Sequence, residues 1–274
     1  MSLHVRRRVG AGTGRPFLLL HGLMSNARMW DEVADRLAGH GHDVHAVDLR
    51  AHGSSDAPAD GYDNATAARD VARVCAELGV TGALVAGHSW SGTLGLRLAV
   101  ENPALVAGLA LVDGGWFDFD TPVSQMFWAH ISEVFRRAQS GTSTPDAMRE
   151  YLRFVHPGWS ATSIEARLAD YRVGPDGLLV PRQTEDQLHS IVRSLRAEVP
   201  AQWLSRVEVP VLLLPHVPTA MATYAEELRQ MVADAVAALA RPTVRWYQDA
   251  DHHLHAEVPD ELTADLLELA RQVG

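Results

Sequence analysis

A serine at the junction of two kinds of pattern is the first residue in this chain with a chemical use. Residues 83–92, ALVAGHSWSG, begin as a short apolar run, break at Gly87, and pass after Gly92 into an Ala/Leu-rich segment with helical spacing. Ser89 therefore falls on a strand-to-helix turn. Such a turn lifts the hydroxyl clear of a sheet and aims the first amides of the next helix at the space in front of it, where an anion would be stabilised. A serine hydroxyl is too basic to ionise at neutral pH, so a histidine has to take its proton and return it to a leaving group. His252, His253 and His255 compete for that role between the last strand pattern and the last helical one. A carboxylate must then orient the imidazole and stabilise its charged form. Asp249 stands close in sequence to His252 and is not the first choice.

The elements that position these groups alternate along the chain. Strand patterns run over Pro16 to Leu20, Asp43 to Asp48, Ala83 to Ala86, Val106 to Val112, Val209 to Leu214 and Thr243 to Tyr247. Between them, helical spacing joins Trp30, Val33, Ala34 and Leu37, then Ala68, Val71, Val74, Cys75 and Leu78 in a helix that Asn64 or Thr66 can cap. A further helix reaches about Glu101, a long one covers about 219–239, and Leu262, Leu266, Leu269 and Val273 mark a terminal one. Alternation of this kind predicts a mostly parallel sheet with helices on both faces. Ligands of such sheets sit beyond the carboxyl ends of the strands, the edge where His21, Ser89 and Asp113 fall. From Trp116 to about Arg206 the alternation stops, and helical patterns rich in large aromatics take over, broken by Gly141, Pro157-Gly158 and Gly174-Pro175-Asp176-Gly177.

Gly87-His88-Ser89-Trp90-Ser91-Gly92 resembles the nucleophile elbow of the α/β-hydrolase fold, G-x-S-x-G, with Ser91 at the second glycine position. The resemblance implies an α/β architecture: a central sheet flanked by helices, residues 1–115 and 207–274 as the hydrolase core, and 116–206 as an inserted helical cap over the site. His21-Gly22 then ends the strand before the oxyanion loop, so the N–H of Leu23 is one oxyanion donor and that of Trp90 the other. Leu49 to Asp56 is similar to the family's D-x-R-G-x-G-x-S loop, with Ala51 for the first glycine and with Arg50 and His52 bracing the turn. The family places an acidic residue five positions after its catalytic histidine and a proline seven after, and counting back from Glu257 and Pro259 selects His252. Most members carry the acid after the strand at 209–214, but Pro215 to Met221 holds no carboxylate. A variant resembling the haloalkane dehalogenases puts it after the preceding strand, where Asp113 stands.

The resemblance thus implies a cofactor-free serine hydrolase with Ser89, His252 and Asp113 as its triad and no metal. An apolar pocket is expected from Trp90, Met24, Trp116 and Phe127, suited to a carboxylic ester, lactone or thioester. Alternatives are a C–C bond hydrolase on the same triad and a slow-turnover ligand sensor. A dehalogenase or epoxide hydrolase would need a carboxylate where Ser89 stands.

Composition bounds the rest. The 274 residues are 47% apolar and 21% charged, enough for one large core, and the net charge of −10 argues against nucleic acid as a partner. The single cysteine, Cys75, excludes an internal disulfide and a thiolate cluster and reads as core filler. With no signal-peptide pattern and no apolar run of about 18 residues, a cytoplasmic protein acting on a small molecule, away from membranes, is expected.

Overall fold

The computed structural model describes residues 1–119, 121, 124, 125, 129, 132, 133, 135, 136, 141, 143–217, 222–248 and 250–273. Its strands are β1 (Val5–Arg8), β2 (Gly14–Leu20), β3 (His42–Val47), β4 (Ala83–His88), β5 (Val106–Val112), β6 (Tyr171–Val173), β7 (Leu179–Pro181), β8 (Val211–Leu214) and β9 (Pro242–Val244). Seven of them form one sheet in the order β1-β3-β2-β4-β5-β8-β9, with β1 antiparallel to β3 and every other pairing parallel.

Both faces of this sheet are buried, which is why its central strands read as unbroken apolar runs. Side chains alternate across a strand, so Leu18 and Leu20 of β2 enter the core on one face while Phe17 and Leu19 enter the core on the other. The helices α1 (Asp31–Gly39) and α9 (Pro259–Val273) bury Val33, Leu37, Leu262 and Leu266 against the Phe17 face. On the opposite face lie α2 (Asn64–Glu77), α3 (Trp90–Glu101) and α8 (Ala222–Ala238), contributing Val71, Leu94 and Leu228. Each such side chain removed from water contributes about 1.5–3 kcal/mol.

Three details depart from the sequence reading. Asp63, rather than Asn64 or Thr66, caps α2 by accepting from the Thr66 N–H at 2.8 Å. The basic start is the edge strand β1: Arg6 reaches Asp31 at 2.8 Å and Arg7 reaches Asp43 at 3.1 Å. The Gly174–Gly177 breaker is the turn of the hairpin formed by β6 and β7. A run of arginines carries no strand periodicity, and three-residue strands are too short to show one.

Residues 145–204 build a layer of α4 (Pro145–Val155), α5 (Ala161–Leu168), the hairpin, α6 (Glu185–Ala197) and α7 (Pro200–Leu204). It has its own apolar cluster, in which Leu152, Trp159, Ile164 and Leu168 meet Met29 and Ala256 of the sheet-bearing part. Polar ties hold it to the loops at the carboxyl ends of β2 and β3. Asn26 Nδ2 donates to the Ala166 carbonyl at 2.7 Å, Gln183 Nε2 donates to the Ala51 carbonyl at 3.0 Å, and Arg167 donates to the Met24 carbonyl. Among the described residues no helix is long and apolar enough to cross a membrane.

Candidate active site

Ser89 sits between β4 and α3 with φ 53° and ψ −119°. Left-handed backbone is uncommon for a residue with a side chain. The surroundings impose it: the Ser89 N–H donates to the Val112 carbonyl at 2.9 Å, and its carbonyl accepts from the Gly92 N–H at 2.9 Å. A Cβ on Gly114 would lie 2.2 Å from the Ser89 carbonyl oxygen, and one on Gly87 would lie 2.2 Å from that of Ser91. Ser91 itself is fully buried and donates its hydroxyl to the His21 carbonyl, tying the elbow to the end of β2. Ser89 remains partly exposed, and its hydroxyl makes no hydrogen bond among the described residues.

Met24 and Asp113 also take positive φ, at 51° and 49°. Asp113 follows β5 and is fully buried. Its Oδ2 accepts from His252 Nδ1 and, at 2.7 Å, from His216 Nδ1, while Oδ1 accepts from the His216 backbone N–H at 3.1 Å. Burial alone would raise the proton affinity of Asp113, but these two imidazole partners prevail and hold it well below the usual carboxylate range. His216 is pushed down by burial and up by Asp113, and the upward effects win. The strand end that lacks a carboxylate therefore supplies an imidazole to the carboxylate on the neighbouring strand.

His252 packs its ring on that of His88, centroids 4.6 Å apart, and its carbonyl accepts from His88 Nε2 at 2.8 Å. This brings the imidazole beside the elbow, with Nδ1 engaged by Asp113 and Nε2 left over. His88 is buried and its pKa is held well below the usual value by burial and by its imidazole neighbours, so it is neutral. His253 and His255 are held differently. His253 donates its backbone N–H to Asp251 at 2.6 Å, and burial pushes its ring down to about 4. His255 stacks on Trp30 at 4.7 Å and is fully buried.

The amides of Leu23 and Trp90 have no acceptor among the described residues. A Cβ on Gly22, just before Leu23, would lie 3.1 Å from Ser89 Cβ, so that loop runs against the serine. The expected pocket residues divide. Met24 is partly exposed beside the site loop, but Trp90 and Trp116 are only 2% and 3% exposed. Trp90 donates its indole N–H to Asn64 at 2.7 Å and packs with the α2 side of the core, so it braces α3 more than it faces open space. Phe127 and Asp249 lie outside the described residues. Sequence reasoning passed over His88 and His216. His88 occupies the variable position of the elbow, and His216 sits where only a carboxylate was sought.

A serine on a left-handed turn between a parallel strand and a helix, with a carboxylate-bound imidazole at the same edge of the sheet, defines the α/β-hydrolase class. The chain belongs to the alpha/beta hydrolase fold family, whose model matches residues 15–214. The AB hydrolase superfamily protein YisY of Bacillus subtilis (strain 168) is 40% identical over 210 residues, 74% of each chain. A putative non-heme haloperoxidase of Mycobacterium phage D29 is 37% identical over 109 residues, so the match spans 39% of that protein's length and 39% of this chain. The crystal structure of E-2-(acetamidomethylene)succinate hydrolase superposes with a TM-score of 0.80 over 98% of this chain and 95% of that one, at 24% identity, a likeness of fold.

Proposed function

We propose that the protein is a serine hydrolase that opens a carboxylic ester, lactone or thioester of an apolar small molecule through an acyl-enzyme. The observation that carries this reading is the hydrogen bond between His252 Nδ1 and buried, ionised Asp113, which leaves Nε2 for the proton of the nearby Ser89. In the first half-reaction Ser89 Oγ bonds to the carbonyl carbon while its proton passes to His252 Nε2. The carbonyl π pair moves onto oxygen, where the amides of Leu23 and Trp90 receive it. Collapse expels the alkoxide or thiolate, which takes the proton back from His252. Water then repeats the sequence on the acyl-enzyme, and Ser89 leaves with its proton restored.

The partly exposed Met24 beside the site loop suits a substrate with a medium-sized apolar group. The acidic net charge of −10 supports a small-molecule partner over nucleic acid. The test pairs the wild type with Ser89→Ala. Aryl-ester turnover should fall by at least about 10⁴, and labelling by a fluorophosphonate should disappear while the fold is kept. Labelling that persists in Ser89→Ala would remove the serine from the reaction.

A further inference from the structure

We propose that His156, Asp251 and Glu257 form a binding site for a first-row transition-metal dication of the zinc class, at the seam between residues 145–204 and the loop that carries His252. Each of the three side chains offers one ligand atom, and those atoms all lie within 4.8 Å of one another. His156 Nδ1 is 2.8 Å from Asp251 Oδ2. Donors around a tetrahedral ion with bonds near 2.0–2.2 Å stand about 3.4 Å apart, so His156 Nδ1 and Asp251 Oδ2 would part by about 0.6 Å to admit one.

Charge points the same way. Two carboxylates face His156, Asp251 also has His253 Nδ1 at 3.6 Å, and no arginine is ion-paired with Asp251 or Glu257 among the described residues. The nitrogen donor is aimed: the His156 ring lies flat on Trp159, centroids 4.0 Å apart at 12°, which turns Nδ1 toward Asp251. The side chains of His156 and Asp251 are 24% and 34% exposed, which leaves a way in for the ion and a position for water. One imidazole nitrogen with two carboxylate oxygens and an open position is a donor set zinc accepts.

A second trio, Asp113, His216 and His252, is equally close-knit. There both imidazoles already donate to one fully buried carboxylate, and the group is satisfied as it stands. The seam site has a different consequence. Asp251 directly precedes His252, so an ion held there would fasten the helical layer to the loop that presents the imidazole.

Binding is measured on the metal-stripped full chain by calorimetric titration with zinc chloride, and by the visible absorption of cobalt(II) in its place. The wild type should take up one equivalent. His156→Ala and Glu257→Gln, at partly exposed positions, should each weaken binding about tenfold or more, while His216→Ala should bind like the wild type. Zinc should raise the melting temperature of the wild type and not of His156→Ala. No saturable uptake, unchanged binding in His156→Ala and Glu257→Gln, or loss confined to His216→Ala would each overturn the assignment. None of these readouts depends on serine chemistry.

Discussion

Asp113 is shared by two imidazoles whose situations differ. His252 shows Nε2 toward the elbow, whereas His216 donates both its ring nitrogen and its backbone N–H and is spent in doing so. Their substitutions should separate accordingly. Asp113→Asn should lower kcat by about 10⁴, because an amide can present its NH₂ to His252 and select the wrong tautomer. His216→Gln should cost less than about tenfold, because Asp113 stays ionised through its remaining bond. Steady-state kinetics on an aryl ester decide it; a His216→Gln loss as deep as that of Asp113→Asn would make His216 the working base. Residue detail also explains the departures from family pattern. Ala51 stands where the family prefers glycine and holds φ 60°, the left-handed conformation that makes glycine the easier choice. Ser91, in the place of the elbow's second glycine, turns the extra atoms into a bond to the His21 carbonyl.

The turn after β4 is held from below by the turn after β5. A Cβ at position 114 would lie 2.5 Å from Ser89 Cα and 2.2 Å from its carbonyl oxygen, backbone atoms that cannot swing aside. Gly114→Ala should therefore cost about 1–3 kcal/mol or more in stability, and the displaced elbow should lose most of its turnover. At the end of α1 the same change has the opposite sign. A Cβ on Gly39 meets nothing within 4 Å, so Gly39→Ala should add about 0.5–1 kcal/mol. Urea denaturation of the two variants beside the wild type checks both; a stable, active Gly114→Ala protein would show that the two turns are not in the contact described.

Across the whole molecule, buried neutral imidazoles couple stability to pH. His21, His52 and His88 are 0%, 1% and 2% exposed, and burial lowers the pKa of each, that of His52 to about 3. Unfolded, they titrate near 6.5. Between that value and their lower folded values the unfolded chain binds more protons, so stability falls as pH falls. It is complete above about 6.5 and drains by up to about 1.4 kcal/mol per pH unit for each histidine. The urea midpoint should drop clearly from pH 7.5 to pH 5.5. An unchanged midpoint would mean that these rings titrate alike in both states.

How much of this was legible beforehand follows from the range of the interactions. The order of strands and helices, the edge on which Ser89 falls, and the choice of His252 and Asp113 as partners could be read from the chain. Periodicity and turn residues are local, and the motif spacings are counted along one dimension. Nothing local announces that three successive arginines form an edge strand, because that strand exists through its pairing with β3 and its ion pairs to Asp31 and Asp43. The roles of His216, His88 and Asp63, and the retreat of Trp90 into the core, were likewise settled by neighbours. His216 meets Asp113 across 103 positions and His88 meets the His252 carbonyl across 164. The sequence by itself determined which residue types were available at the carboxyl edge of the sheet; the tertiary structure decided which of its many histidines touch the buried carboxylate, because side chains so far apart in the chain become neighbours only when parallel strands bring their ends together.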